Sequence, residues 1–355
     1  MAFEDLRHGR LDVVPNYFTV DMPFYRRHLK DFLPDRIIDF HTHAGVPLPW
    51  EPGDPEPTYW PGKINRGCRM SVANLLQSLI LTLPGKEVVP NVLCSGTRRT
   101  VDASIEYLAR ELEKYPQISG FMRNLPDWSE AELIERYARG RFTGLKPYRN
   151  MALPSLEAEE VTIFDFMPIH QIKVAEERGW IIMLHIPKAE RLADPCNIDQ
   201  LKEIADTFPD VKIVLAHIGR TYAPRYAHEG FAALGDTARF YYWDFSANLL
   251  QEAMELLIEC TGPGRIIYGT DMPILAVRSR RIVEGDNYIN IMRDADWEDS
   301  HTRLAPPEER DSVTFMMYEE ILAFKRAAEK KGLSRADIED IFYNTARNLL
   351  QNANS

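Results

Sequence analysis

The sequence predicts an α/β protein, a single (β/α)8 (TIM) barrel. Eight short apolar runs recur along the 355 residues. Most are separated by segments with apolar residues at three- and four-residue spacing, such as "TVDASIEYLARELEKY" and "FMPIHQIKVAEERG". Apolar strands that alternate with helices indicate a parallel sheet covered on both faces. No Gly-rich loop follows the first strand, which favours a closed barrel over a doubly wound nucleotide-binding sheet.

The apolar runs give the expected strands in chain order. They are 36–43, 77–84, 118–126, 142–149, 180–187, 211–219, 240–247 and 265–273. Residues 1–35 are expected to form an amphipathic, aromatic-rich N-terminal arm, and residues 36–355 the barrel domain.

Two expected connections are longer than is usual in such a fold. Residues 44–70 follow the first strand and are rich in Pro and Trp, and residues 274–310 follow the eighth strand. Both leave the carboxyl ends of their strands, where barrel active sites lie. They are therefore expected to form a lid or a wall of the substrate site, with surface decoration or a subunit contact as the alternative.

Composition excludes several classes of function. The formal net charge of −11 argues against binding to nucleic acid or to an anionic membrane. No apolar run approaches the roughly 20 residues of a membrane-spanning helix. The four cysteines are scattered without a CxxC pair, so neither a thiolate zinc site nor a disulfide framework is indicated. A reduced, cytoplasmic protein is expected.

Side chains of the kind that bind metals stand where the expected strands end. "DFHTH" places His41 and His43 on the same side of the first strand, because side chains alternate along a strand. The fifth strand ends in His185, the sixth in His217 and the eighth in Asp271. Any one of these histidines could be structural, but a closed barrel brings all five side chains to one rim. Imidazole and carboxylate suit zinc, with manganese, cobalt or iron as alternatives, so one divalent metal is predicted.

The segments "DFHTH", "LHIP", "AHIGR", "YGTDMP" and "IFYNTARNLL" resemble the amidohydrolase superfamily. The resemblance covers roughly residues 36–350 and is closest to the amidohydrolase-related branch of metal-dependent hydrolases, lactonases and non-oxidative decarboxylases. It implies that His41, His43 and His185 bind a divalent metal. It also implies that Asp271 binds this metal and accepts a proton from the metal-bound water. His217 would be a further ligand, or would polarise substrate or orient that water.

Lys146 has three interpretations. "GLKPYR" resembles the strand-four position at which binuclear relatives carry a carboxylated lysine that bridges two metals. An unmodified Lys146 would instead neutralise a substrate carboxylate, or would simply reach solvent from the rim. A site with one metal is expected, and two metals would imply carboxylation of Lys146.

Substrate residues are suggested by charge and by ring-shaped side chains. Arginine binds carboxylates through two parallel hydrogen bonds, so a small anionic substrate is expected. The arginines that could face the barrel mouth are Arg123, Arg149, Arg220 and Arg278. The aromatic side chains that could line the site, or could equally be packed in the core, are Trp50, Trp60, Tyr148 and Tyr222.

These features predict a metal-dependent hydrolase of a small, carboxylated ester, lactone or amide, with Asp271 as general acid and base. One alternative is a non-oxidative decarboxylase of an aromatic or muconate-type acid. Related decarboxylases often carry an acid after the strand-six histidine, where "HIGRTYAP" has Arg220 instead. A second alternative is a non-catalytic metal-binding barrel. A homodimer is expected because such proteins often form one and because the arm carries apolar residues, namely Tyr17, Phe18, Phe24 and Tyr25.

Overall fold

The computed structural model describes residues 16–45, 60–67 and 70–353. Within these residues, eight strands form one sheet in which each strand pairs in parallel with the next along the chain. The strands are β1 (Arg36–Ala44), β2 (Glu87–Cys94), β3 (Ser119–Met122), β4 (Gly144–Leu145), β5 (Ile181–Leu184), β6 (Lys212–Leu215), β7 (Tyr242–Asp244) and β8 (Ile266–Ile267). The predicted (β/α)8 barrel is confirmed.

Backbone hydrogen bonds join β1 to the segment that follows β8. The Phe40 amide donates to the Tyr268 carbonyl at 3.0 Å, and the Asp271 amide donates to the His41 carbonyl at 2.7 Å. The His43 amide donates to the Met272 carbonyl at 2.7 Å. These contacts bring the first and last strands together, and they place Asp271 directly beside the two histidines of β1.

Helices surround the sheet. In the described residues, the α-helices of five or more residues are Trp60–Gly67, Val72–Thr82, Val101–Lys114, Glu130–Tyr137, Ile169–Glu177, Pro195–Thr207, Pro224–Leu234, Gln251–Thr261, Met316–Lys331, Arg335–Glu339 and Thr345–Gln351. The helical patterns at 100–115 and 166–179 are confirmed by Val101–Lys114 and Ile169–Glu177. None of the helices in this part of the chain is long and apolar enough to cross a membrane.

Two apolar clusters hold the barrel together. The larger lies between the sheet and the surrounding helices and includes Ile37 of β1. The smaller fills the barrel and is closed by residues of the last helix. Its buried members are Ile38, Phe40, Leu93, Phe121, Ile181, Met183, Val214, Ala216, Ile267, Ala346, Leu349 and Ala353. The interior of the barrel is therefore a packed apolar core.

The strand predicted at 77–84 is wrong. Residues Val72–Thr82 form a helix. Ser71 caps its N-terminus, because the Ser71 hydroxyl accepts a hydrogen bond from the Asn74 amide. The second strand is Glu87–Cys94, which contains Pro90. The buried residues of the helix recur at three- and four-residue spacing, so this apolar run covers one helical face rather than both faces of a strand.

The described part of the N-terminal arm is one helical segment, Tyr17–Leu29, in which π-helical turns flank a short α-helical turn. The Tyr17 and Tyr25 hydroxyls donate to the carbonyls of Leu81 and Pro84. The arm thus packs against its own barrel through these two tyrosines, whereas Phe18 is 69% exposed.

The long connection after β8 contains a second, three-stranded sheet. Its strands are β9 (Ser279–Glu284), β10 (Asn287–Met292) and β11 (Thr302–Leu304), with β10 in the centre. The connection expected as a loop is therefore an ordered insertion. The residues of the connection after β1 that the structure describes, from position 60 onward, include the helix Trp60–Gly67.

Candidate metal centre

A β-bulge in β1 sets the orientation of its histidine side chains. Asp39 pairs with Pro90 and Thr42 with Val92, so Phe40 and His41 together oppose a single residue of β2. Such a bulge lets two successive side chains share one face. Phe40 belongs to the interior cluster, and His41 stands above it against Asp244. His43 follows two residues later at the rim, and its ring centroid lies 5.3 Å from that of His41.

Asp271 completes a compact group with these histidines. Its Oδ1 lies 3.1 Å from His43 Nε2 and 3.7 Å from His41 Nε2. The potential ligand atoms of His41, His43 and Asp271 all lie within 4.8 Å of one another, and all three residues are buried. Three of the four predicted metal ligands are therefore brought together.

Asp244, at the end of β7, is a functional residue that the sequence reasoning missed. Its Oδ2 lies 2.9 Å from His41 Nδ1, and its Oδ1 accepts from the amides of His217 and Ser246. An ionised carboxylate can only accept, so His41 donates from Nδ1 and keeps its Nε2 lone pair free. The available signal was position, because "YYWDF" places an acid at a strand end like the other site residues.

His217 is oriented in the same way. Its Nδ1 lies 2.8 Å from the carbonyl oxygen of Ser246 and 2.9 Å from the Ser246 hydroxyl. A carbonyl only accepts, so Nδ1 of His217 carries a proton, and Nε2 is the ring nitrogen left to act as a donor atom for a metal. The rings of His217 and His41 stack with centroids 4.8 Å apart. The potential ligand atoms of His41, His217 and Asp244 form a second group within 4.8 Å.

His185 lies at the edge of the cluster rather than in its centre. Its ring centroid is 5.3 Å from that of His217, and it is not among the residues that meet within 4.8 Å. Its Nδ1 is buried and has no hydrogen-bond partner among the described residues. Tyr148 stacks on the His185 ring, with ring centroids 5.7 Å apart. His185 therefore contacts His217 but does not belong to the compact group of His41, His43 and Asp271.

Lys146 follows β4 and is completely buried. Its Nζ makes no hydrogen bond to a described residue and lies 5.1 Å from the centroid of the Tyr148 ring. Burial lowers the pKa of Lys146 to about 7. The side chain does not reach solvent from the rim, which removes the third of its three interpretations.

Burial favours the neutral form of His41, His43 and His185, whereas neighbouring histidines favour the ionised form of the two acids. Burial lowers the pKa of His41 to about 4, and it lowers the pKa of His43 and His185 as well. Burial acts to raise the pKa of Asp271, but the hydrogen bond with His43 and the neighbouring His41 hold it below its ordinary value. The pKa of Asp244 is also lowered, because His41 and His217 outweigh the effect of burial. Neutral imidazole and ionised carboxylate are the forms that bind metal.

Several rim residues have left-handed backbone conformations. His217 has φ +59°, Ala247 has φ +55° and Asp271 has φ +53°. Such conformations cost free energy in residues other than glycine and are concentrated at functional sites. The chain turns sharply at the ends of β6, β7 and β8, and these turns aim His217 and Asp271 at β1.

The predicted substrate residues have different fates. Arg220 donates to the carbonyls of Ile186, Pro187 and Lys188, and exposed Arg149 donates to the carbonyl of Pro187. Both arginines therefore hold the segment that follows His185. Arg278 does not contact the metal-binding residues. It is buried and forms an ion pair with Asp21 of the arm. Trp50 lies outside the described residues.

The residues present fit a divalent metal. His41 Nε2 is buried, has no hydrogen-bond partner among the described residues and points at the Asp271 carboxylate 3.7 Å away. An imidazole lone pair left in this position is costly unless something binds it. His41, His43 and Asp271 supply three ligand atoms, and His217 and His185 lie beside them as further nitrogen donors.

Comparisons with solved structures agree with this fold. An amidohydrolase from Burkholderia multivorans with bound zinc has a TM-score of 0.57 at 13% identity, covering 89% of this chain and 99% of that chain. A probable 2-pyrone-4,6-dicarboxylic acid hydrolase from Acinetobacter baumannii, with citric acid bound, has a TM-score of 0.51 at 14% identity, again covering 89% of this chain and 99% of that chain. A dihydroxybenzoic acid decarboxylase from Polaromonas sp. JS666, with bound manganese, has a TM-score of 0.51 at 14% identity, covering 90% of this chain and 97% of that chain.

No curated protein matches the chain in sequence. The model of the amidohydrolase family Amidohydro_2 matches residues 38–351, which spans the barrel and every rim residue described above. The resemblance seen in "DFHTH", "AHIGR" and "YGTDMP" is thereby confirmed, and this chain belongs to the amidohydrolase family.

Proposed function

We propose that this protein is a metal-dependent hydrolase that cleaves a small, carboxylated ester, lactone or amide. The observation that carries the proposal is the buried group of His41, His43 and Asp271, in which an ionised carboxylate lies 3.1 Å from one imidazole and 3.7 Å from the other. Such a group combines metal-binding atoms with a general base in one place.

The metal would be held by His41, His43, Asp271 and His185, and one zinc ion is proposed. Manganese fits the same donors. When bound, a divalent ion supplies Lewis-acid polarisation of a carbonyl and lowers the pKa of water toward about 7. This chemistry is of use to hydrolysis at neutral pH, where free hydroxide is scarce.

The protein's own side chains carry the proton. Asp271 accepts a proton from the attacking water and passes it to the leaving group, which needs an ionised carboxylate at the start. His217 presents an Nε2 lone pair, so it accepts a hydrogen bond from the water and orients it. Asp244 fixes the His41 tautomer and thereby the direction of its free nitrogen. Lys146 is proposed to face a substrate carboxylate, unless it is carboxylated and bridges a second ion.

The alternative reaction is decarboxylation, with Asp271 protonating the ring carbon that loses carbon dioxide. The two reactions are distinguished by their products. A panel of lactones, esters and amides of small acids is assayed for acid release, and a panel of hydroxylated aromatic acids for carbon dioxide release. Acid release without carbon dioxide supports hydrolysis, and the opposite result replaces it with decarboxylation.

The substitution Asp271→Asn tests the assigned role in either panel. It removes the carboxylate base while nearly keeping the side-chain size, and it is expected to reduce kcat about 10²–10⁴-fold. The metal content of the variant is measured in parallel, so that loss of metal is not mistaken for loss of the base. A variant that retains its metal and its full activity would show that Asp271 does not carry the proton.

A further inference from the structure

Five buried or partly buried side chains form an arginine–tyrosine cluster beside the candidate metal centre. They are Arg191, Arg281, Tyr222, Tyr226 and Tyr288. Arg191 Cζ lies 4.4 Å from the Tyr226 ring centroid and 5.3 Å from those of Tyr222 and Tyr288. Arg281 Cζ lies 4.6 Å from the Tyr288 centroid and 5.0 Å from that of Tyr222. Two guanidinium groups thus share two tyrosine rings.

Within the part of the chain that the structure describes, no carboxylate pairs with the two arginines of the cluster, Arg191 and Arg281. The charge of Glu320 acts on Arg281, but the Glu320 carboxyl group accepts a hydrogen bond from the Ala247 amide, and burial raises its pKa well above the ordinary value. Burial therefore favours the uncharged form of Glu320 over a charge that would balance the two cations.

Several donor atoms of the cluster have no hydrogen-bond partner among the described residues. Arg191 is 8% exposed, and its buried Nε and Nη1 have no hydrogen-bond partner among the described residues. Arg281 donates to Asn290 Oδ1 and to the Ala247 carbonyl, but its buried Nη2 has none. Tyr288 accepts from the Trp60 indole at 3.1 Å, so its own hydroxyl proton remains to donate. Buried charged donors without acceptors are costly, and an anion would satisfy them.

The cluster adjoins the candidate metal centre. Arg281 binds the carbonyl of Ala247, and the preceding Ser246 binds both His41 and His217. Arg220, which holds the segment after His185, lies close enough for its charge to be felt by that histidine. Arg281 is partly exposed, so the cluster also reaches solvent.

We infer that the arginine–tyrosine cluster binds a carboxylate of the substrate, at the end remote from the bond that is cleaved. The planar guanidinium forks of Arg191 and Arg281 suit the two oxygens of a carboxylate. This inference deepens the proposed function and rests on it, because it gives the substrate class as one with a carboxylate beyond the reacting group. It also assigns a role to the inserted sheet, since β9 contributes Arg281 and β10 contributes Tyr288.

The test uses glutarate as a probe carboxylate and glutaramide as its uncharged counterpart. Binding of each to the metal-loaded full chain is measured by isothermal titration calorimetry. The variants are Arg191→Met, Arg281→Met and the charge-preserving Arg281→Lys, with circular dichroism as a check of folding. The matched control is Arg303→Gln, which changes an exposed arginine of β11 that is paired with Glu284.

Glutarate is expected to bind the wild type and the Arg303→Gln control equally. Its affinity should fall about tenfold or more in both methionine variants, because each loses hydrogen bonds from a charged guanidinium group. The loss should be smaller in Arg281→Lys, which keeps the positive charge. Equal binding of glutarate to all variants would overturn the inference, as would equal binding of glutaramide and glutarate to the wild type.

The two proposals fail separately. If glutarate binding depends on the two arginines but the protein has neither metal nor activity, the proposed function is wrong and the cluster is still an anion site. If metal-dependent hydrolysis is found and neither Arg191 nor Arg281 affects it, the proposed function stands and this inference is wrong.

Discussion

Two of the site imidazoles have one ring nitrogen fixed by a partner that can only accept a hydrogen bond. Asp244 accepts from Nδ1–H of His41, and the Ser246 carbonyl accepts from Nδ1–H of His217. Both rings thereby keep Nε2 available on the side of the cluster. The sequence identified the histidines themselves, because each follows an apolar strand. It could not identify these partners, since the contact between His41 and Asp244 joins residues 203 positions apart.

Asp244→Asn should weaken metal binding about 10–100-fold, because an amide no longer enforces the His41 tautomer. Metal affinity is measured by competition with a coloured chelator. Exposed Asp236 provides the matched control, and Asp236→Asn should bind metal like the wild type. Unchanged affinity in Asp244→Asn would mean that this carboxylate does not orient the ligand.

Gly269 stands where the segment after β8 passes closest to β1. A Cβ built on Gly269 would lie 2.6 Å from the His41 Cβ and 3.0 Å from the His41 amide nitrogen. Gly269→Ala should therefore displace His41, lower the free energy of unfolding by about 1–3 kcal/mol and weaken metal binding. Gly264→Ala is the control, since a Cβ there would meet nothing within 4 Å. Equal stability of the two variants in urea titrations would contradict this close contact.

At the scale of elements, patterns of burial decide which assignments succeed. β1 and β5 are recognisable because nearly every residue in them is buried. The run "QSLILTLP" is also rich in apolar residues, yet it lies mostly in the helix Val72–Thr82, which buries only every third or fourth residue along one face. The actual strand contains Pro90, a residue that weakens any strand assignment. The bulge in β1 was equally hidden, because it depends on pairing with β2.

The arm is fixed to the insertion by one buried ion pair. Asp21 accepts from Arg278 Nε at 3.2 Å and from the Thr314 hydroxyl at 2.9 Å. Removing one partner leaves the other charge buried, so Asp21→Asn and Arg278→Met should each cost about 3–5 kcal/mol of stability. The double variant should cost less than the sum of the two single variants, with a coupling of about 0.5–3 kcal/mol. Additive losses in urea unfolding would show that the pair does not hold the arm.

At the scale of the whole molecule, the fold was predictable because it repeats. One misplaced strand among eight did not change the inferred barrel, since the other seven remained in order. The rim position of the His and Asp residues followed from the same repetition. The substrate did not follow, because the arginine–tyrosine cluster joins the segment after β5, the turn after β6 and the inserted sheet. No local pattern links Arg191 to Arg281.

The measurement that tests the central claim most directly is the metal content of the full chain, purified without chelator and determined by elemental analysis. About one zinc or manganese ion per chain is predicted from the donor set. The double variant His41→Ala/His43→Ala should contain almost no metal. About two per chain would keep the metal centre and assign a carboxylated Lys146 as a bridge. A protein that contains no metal, and that takes up none after incubation with zinc or manganese and desalting, would contradict the account.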